Sequence, residues 1–175
     1  MEKGIVYWIT GLSGAGKTTI GTMLFEYLKK KKDNVVFLDG DILRTVYISG
    51  GGYSTEERKK LAYQDCRMCR MLSDQNIDVV YCGISMYEEC RKWNRENIEN
   101  YKVIYLSVPM EILLKRDKKH LYSRALRGEI SEVVGVDLPY DEPLNPDVLI
   151  DNSGRYTPDH ALEHIVNELA IEKLI

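Results

Sequence analysis

Residues 11–18 read Gly11-Leu12-Ser13-Gly14-Ala15-Gly16-Lys17-Thr18, the pattern G-x-x-x-x-G-K-[ST]. Just before it, Ile5–Ile9 is a short apolar run bounded by Gly4 and Gly11. Such a run suits a strand buried on both faces. Just after it, Ile20, Met23, Leu24, Tyr27 and Leu28 recur at helical spacing, which predicts a helix over Lys17–Lys32. Lysines 29–32 cluster at its C-terminal end, where the helix dipole favours cations. A strand, a glycine-rich turn and a helix in that order form a phosphate-binding loop. Glycines let the backbone wrap a phosphate. Successive N–H groups and the helix N-terminus supply positive partial charge. Lys17 is placed to reach the β- and γ-phosphates, and the Thr18 hydroxyl to ligate Mg²⁺. The motif therefore predicts ATP and Mg²⁺ as cofactors.

Working outward, strand and helix signals alternate. Val35–Leu38, Val79–Cys82, Val103–Val108 and Val148–Ile150 are short apolar runs. Ser54 can cap a long helix from Thr55 to about Gln75, a helix follows near Tyr87–Asn100, and Pro109 opens another. Thr157-Pro158 starts the last helix as an N-cap with proline at the first helical position. Alternation of this kind predicts an α/β fold, a parallel sheet of about five strands with helices on both faces. Residues 118–145 break the pattern, with mixed charge, little periodicity, and Pro139, Pro143 and the adjoining Pro146. A stretch of that length reads as a lid. Residues 1–175 read as one P-loop domain with no internal repeat.

Composition narrows the partners. With Lys+Arg 24 and Asp+Glu 27 the formal net charge is −3, so nothing draws the chain globally to nucleic acid or an anionic membrane. No run reaches the roughly 18 apolar residues that span a bilayer. The first ten residues read as a strand rather than a signal peptide. Cys66 and Cys69 form a lone C-x-x-C with no second pair and no suitably spaced histidines. Ordinary thiols in a cytoplasmic protein are the simpler reading than zinc or redox chemistry.

Asp39-Gly40-Asp41 follows the second strand. At the C-terminal edge of a parallel sheet this sets two carboxylates beside the phosphate loop. One can hold Mg²⁺ or its water; the other can take the proton of an attacking hydroxyl. A solvated Asp-Gly-Asp turn is the alternative. Arginine suits phosphate because its planar fork binds two oxygens. Arg44, one turn beyond Asp41, can face the same cleft. Arg58, Arg91 and Arg95 sit on helices, where a solvated face is the default. Lys119, Arg124 and Arg127 fall in the lid segment, whose closure can bring a cation to the phosphoryl group.

From about Val6 to Asn152 the chain resembles the adenylylsulfate (APS) kinase family. The likeness rests on Gly11–Thr19, on Leu38-Asp39-Gly40-Asp41 with Arg44, and on Gly52-Tyr53-Ser54 through Arg58. It continues through Ile84-Ser85-Met86-Tyr87, Arg91 with Arg95, Lys119-His120-Leu121-Tyr122, Arg127-Gly128-Glu129-Ile130 and Gly135–Tyr140. The resemblance implies a P-loop α/β homodimer that transfers the γ-phosphoryl of ATP to a nucleotide ribose 3′-hydroxyl. It implies that Gly11, Ser13, Gly14, Ala15, Gly16, Lys17, Thr18 and Thr19 hold ATP, with Arg124 or Arg127 from the lid. Asp41 would be the base, with Lys17 and Asp39 also catalytic, and Thr18 and Asp39 on the metal. Asp41, Arg44, Tyr53, Arg58, Ile84, Ser85, Lys119, Leu121 and Val133 would contact a small-molecule nucleotide acceptor.

The chain departs from that family on the acceptor side. Ile42 replaces an asparagine. Lys60-Leu61-Ala62-Tyr63-Gln64 stands where the family carries E-N-I-R-R, and Glu88 replaces the arginine of S-P-Y-R. Val133 takes the place of a lid aromatic. A lost charge-assisted hydrogen bond costs about 1.5–3 kcal/mol, and a lost base stack about 1–3 kcal/mol. Several such losses in one pocket predict a changed acceptor. The pattern resembles the branch that phosphorylates cytidine diphosphoramidate in capsular phosphoramidate biosynthesis. Three other readings stay open: an APS kinase with an altered pocket, a nucleotide-binding regulatory subunit without phosphotransfer, and a sugar kinase.

Overall fold

The computed structural model describes residues 2–47, 52–117 and 120–171. The strands are β1 (Val6–Thr10), β2 (Val35–Asp39), β3 (Asp78–Gly83), β4 (Tyr101–Ser107) and β5 (Val148–Asp151). The helices are α1 (Lys17–Lys29), α2 (Gly40–Val46), α3 (Thr55–Ser73), α4 (Glu88–Asn97), α5 (Met110–Arg116), α6 (Leu121–Leu126) and α7 (Pro158–Glu168). All five strands are parallel, in the order β2-β3-β1-β4-β5.

β1 is buried along its whole length, as its unbroken apolar run requires. It lies between β3 and β4, in register Tyr7 to Val80 and Tyr7 to Lys102. One core gathers Ile20, Leu24 and Leu28 of α1 with Ile165 of α7 and the Ile9 and Ile104 face of the sheet. The other gathers Cys66 and Cys69 of α3, Cys90 of α4, and Val6, Trp8 and Tyr81. All four cysteines are buried free thiols; a hydrogen bond with Cys90 and then burial raise the pKa of Cys66, and burial raises that of Cys69. The described residues hold no group of three or more potential metal-ligating His, Cys, Asp or Glu side chains. Among them, no helix is long and apolar enough to cross a membrane.

Leu24 is fully buried in the α1 core. Leu24→Ala should destabilise the fold by about 2–5 kcal/mol, the cost of lost burial plus the cavity left behind. A urea titration of both proteins reads this directly. An unchanged midpoint would mean that this face of α1 repacks.

Several elements differ from the sequence expectations. α1 ends at Lys29, three residues before Lys32. α3 ends at Ser73, and α4 covers Glu88–Asn97. The Asp-Gly-Asp segment opens a short helix, α2, that has too few apolar positions to show periodicity. Residues 120–145, within the stretch expected to form a lid, contain α6. It is held to the phosphate loop by Tyr122, whose hydroxyl donates to the Ser13 carbonyl at 2.8 Å. Arg91 is nearly buried, and its guanidinium binds the Glu88 carboxylate at 2.6 Å and the Asp141 carbonyl at 2.9 Å. Arg95 binds the Asn145 carbonyl and the Asp147 carboxylate, each at 3.1 Å. Both arginines thus pin residues 141–147 to α4 and do not line the cleft.

Candidate active site

The loops after β1, β2 and β3 meet at the C-terminal edge of the sheet. There they bound a cleft of about 610 Å³, within the range of small-ligand sites. The place follows from topology. Parallel strands put their C-terminal ends together, and β1 lies where the chain switches from one half of the sheet to the other.

The donor end is the turn from β1 into α1. Gly16 caps α1 in the left-handed region at φ 95°, with no side-chain cap. A Cβ there would come within 2.6 Å of Asn152 Nδ2, so only glycine fits. The first turn of α1 carries no acid, which leaves its N–H groups for an anion. Lys17 Nζ donates to the carbonyls of Gly11 and Leu12, each at 2.9 Å. Burial pulls its pKa down to about 8, while Asp41 and Asp39 nearby oppose the shift. Ser13, Gly14, Gly16, Lys17, Thr18 and Thr19 all line the cleft. Gly11 and Ala15 are buried beneath it as the loop's frame.

The two aspartates separate by environment. Asp39, 9% exposed, is the N-cap of α2: its Oδ1 accepts from the Asp41 N–H at 2.9 Å. Its Oδ2 accepts from Thr18 Oγ1 at 2.8 Å. A hydroxyl and a carboxylate in contact form a hard oxygen pair that fits Mg²⁺, which takes one or two protein ligands and fills the rest with phosphate and water. Asp41 is exposed at the head of α2 and lines the same cleft. The solvated-turn alternative therefore fails for Asp39.

On the acceptor side, Arg44 and Arg58 clasp Tyr53. Their guanidinium carbons lie 4.6 Å and 5.2 Å from its ring centroid. Arg44 Nη1 donates to the Gly52 carbonyl at 2.8 Å, and Arg58 Nη2 to the Glu132 carbonyl at 2.8 Å. Burial lowers the Arg58 pKa, and Arg44 acts in the same direction. Ile84 and Ser85 line the cleft, and the Ile84 carbonyl accepts from Thr10 Oγ1 at 2.5 Å.

Four candidates stand elsewhere. Arg124 and Arg127 are both engaged by Glu129, at 3.4 Å and 2.6 Å, outside the cleft. Val133 is buried in the core and Leu121 packs against it. Lys119 lies outside the described residues.

Several lining residues escaped the sequence reading. Arg116 reaches the donor end, donating to the Asn152 carbonyl at 2.7 Å. Asn152 Nδ2 donates to the Ala15 carbonyl at 2.6 Å. Asp65, Tyr47 and Tyr81 line the acceptor end. The cationic end of α5 is the single signal that marks Arg116. Nothing in its own segment marks Asp65.

Comparison with known proteins agrees with this geometry. The family model for adenylylsulphate kinase matches residues 3–151. A cytidine diphosphoramidate kinase of Campylobacter jejuni is 40% identical over 166 residues, covering 95% of this chain and 96% of the relative. A probable adenylyl-sulfate kinase of Aeropyrum pernix is 36% identical, covering 97% and 92%. The Mycobacterium tuberculosis APS kinase solved with AMPPNP and APS superposes with a TM-score of 0.88 at 28% identity, covering 97% and 99%. With a phosphate loop, a paired-aspartate turn and a parallel five-stranded sheet in that family's order, the chain belongs to the adenylylsulphate kinase family and is an ATP-dependent nucleotide 3′-kinase.

Proposed function

We propose that the acceptor is cytidine diphosphoramidate, phosphorylated on its ribose 3′-hydroxyl in the assembly of capsular phosphoramidate. The observation that carries this is the acceptor wall. Leu61 and Ala62, both buried, line it where the family carries asparagine and isoleucine, and Tyr63 and Gln64 replace two arginines. The donor end, by contrast, keeps every loop position. The 40% identity to the Campylobacter jejuni enzyme supports the same reading.

In the proposed mechanism the loop from Gly11 to Thr18 wraps the triphosphate with its N–H groups. Thr18 and Asp39 would hold Mg²⁺, which when bound neutralises charge on the β- and γ-phosphates. Asp41 orients the 3′-hydroxyl and takes its proton as the oxygen attacks phosphorus in line. Lys17 leaves the Gly11 and Leu12 carbonyls to meet the charge that spreads over the transferring group. Arg116 takes the donor-end position expected of Arg124 or Arg127. Arg44 and Arg58 receive the acceptor's phosphates, and Tyr53 borders its base.

The test is turnover with ATP and Mg²⁺ on cytidine diphosphoramidate and on adenylylsulfate, side by side. Phosphorus NMR then locates the new phosphate. The expected products are ADP and cytidine diphosphoramidate bearing the new phosphate on its ribose 3′-oxygen. Turnover confined to adenylylsulfate would overturn this acceptor, and a phosphate on any atom but a ribose 3′-oxygen would overturn the assigned chemistry.

A further inference from the structure

Asp65 sits on α3, 5% exposed, and takes no part in the mechanism above. Both of its carboxylate oxygens accept from phenols. Tyr47 Oη donates to Oδ1, and Tyr81 Oη donates to Oδ2 at 2.7 Å. Tyr81 Oη also lies 2.9 Å from Ser85 Oγ. A phenol has one proton, and a carboxylate can only accept. The Tyr81 proton therefore goes to Asp65, and Ser85 must supply the proton of the second bond. Ser85 Oγ is left with lone pairs alone to offer the cleft that it lines.

The chain of bonds is held rigidly in place. The Tyr81 ring stacks on Trp8 at 3.9 Å. A Cβ on Gly83 would fall 2.1 Å from Tyr81 Oη, so glycine at 83 is what admits the phenol. A Cβ on Gly40 would lie 3.5 Å from the same oxygen. That puts the phenol against the Asp39-Gly40-Asp41 turn, at the acceptor's end of the cleft. Arg44 and Arg58 supply the cations there. Ser85 supplies the opposite, an oxygen that asks for a donor.

A terminal phosphate or sulfonate presents acceptors only, whereas a terminal phosphoramidate carries a P–NH₂ donor. We infer that Asp65, Tyr81 and Ser85 form a proton-orienting relay that selects an acceptor whose terminal phosphorus bears an amide nitrogen, with Ser85 Oγ accepting from that N–H. This rests on the acceptor reading given above.

Cytidine diphosphate is the all-oxygen counterpart of cytidine diphosphoramidate, so the ratio of kcat/KM on the two nucleotides measures the relay. The parent enzyme should favour the phosphoramidate. Tyr81→Phe frees the Ser85 proton to turn into the cleft, and Ser85→Ala removes the acceptor but leaves Asp65 with both phenols. Each should reduce the ratio by severalfold to about tenfold, the worth of one neutral hydrogen bond. Losses from partial unfolding cancel, since both nucleotides meet the same protein. A parent ratio of one, or a ratio that neither variant moves, overturns the inference and leaves the cytidine reading intact. Turnover on adenylylsulfate with none on either cytidine nucleotide overturns that reading and the inference together.

Discussion

Lys17→Ala should lower kcat/KM by at least about a thousandfold, because removing one preorganised donor from a developing anion already costs about 10²–10³ and this donor is charged. Lys17 Nζ is held 2.9 Å from the Gly11 and Leu12 carbonyls, and the residue lines the cleft. The loss should not trace to unfolding. Burial disfavours the ammonium, and its pKa of about 8 is below the usual 10.5. A lysine depressed in this way destabilises the folded protein below pH 8, and the penalty fades as pH rises from about 8 towards 10.5. Removing the side chain removes that penalty. The same depression gives binding a pH dependence: in the parent, affinity for ATP should weaken as pH climbs through about 8 and the ammonium of the free enzyme discharges. Titrating ATP by calorimetry at several pH values reads the effect, and Lys17→Ala should flatten it. A flat parent profile would show that Lys17 is not the cation that meets the triphosphate.

Asp41→Asn should lower kcat by about 10²–10⁴, the usual contribution of a positioned general base. ATP affinity should stay near that of the parent. Asparagine keeps the shape of the side chain, and the bond from the residue 41 N–H to Asp39 Oδ1, which starts α2, is made by backbone and survives. Asp41 is exposed, so the substitution places no unpaired polar side chain in the interior. Single-turnover measurements with ATP in excess isolate the chemical step. A variant that retained most of its turnover would sink Asp41 as the base.

Legibility in the sequence tracked how local each signal was. The strands were visible because a parallel strand covered on both faces is an uninterrupted apolar run, and Ile5–Ile9 is one. The phosphate loop was visible because its chemistry is contiguous. The Asp39-Gly40-Asp41 pair gained meaning from strand β2, although its N-cap geometry, which splits the two carboxylates into a buried one and an exposed one, is set by tertiary folding. Arg91, Arg95, Arg124 and Arg127 show the opposite case. An arginine reads alike whether it faces a phosphate or a nearby carboxylate, and here Glu88, Asp147 and Glu129 claim them. Asp65 was invisible because its partners Tyr47 and Tyr81 come from two other segments. Only the packing of α3 against β3 and the end of α2 brings them together.

The strand order has a consequence for how such an enzyme diversifies. The donor loop issues from β1, at the centre of the sheet, and the acceptor wall from β3, α2 and α3 to one side of it. Substitutions well apart in a fold tend to act independently. Lineages can therefore exchange one phosphoryl acceptor for another by mutating the flank, while selection for ATP keeps the centre unchanged.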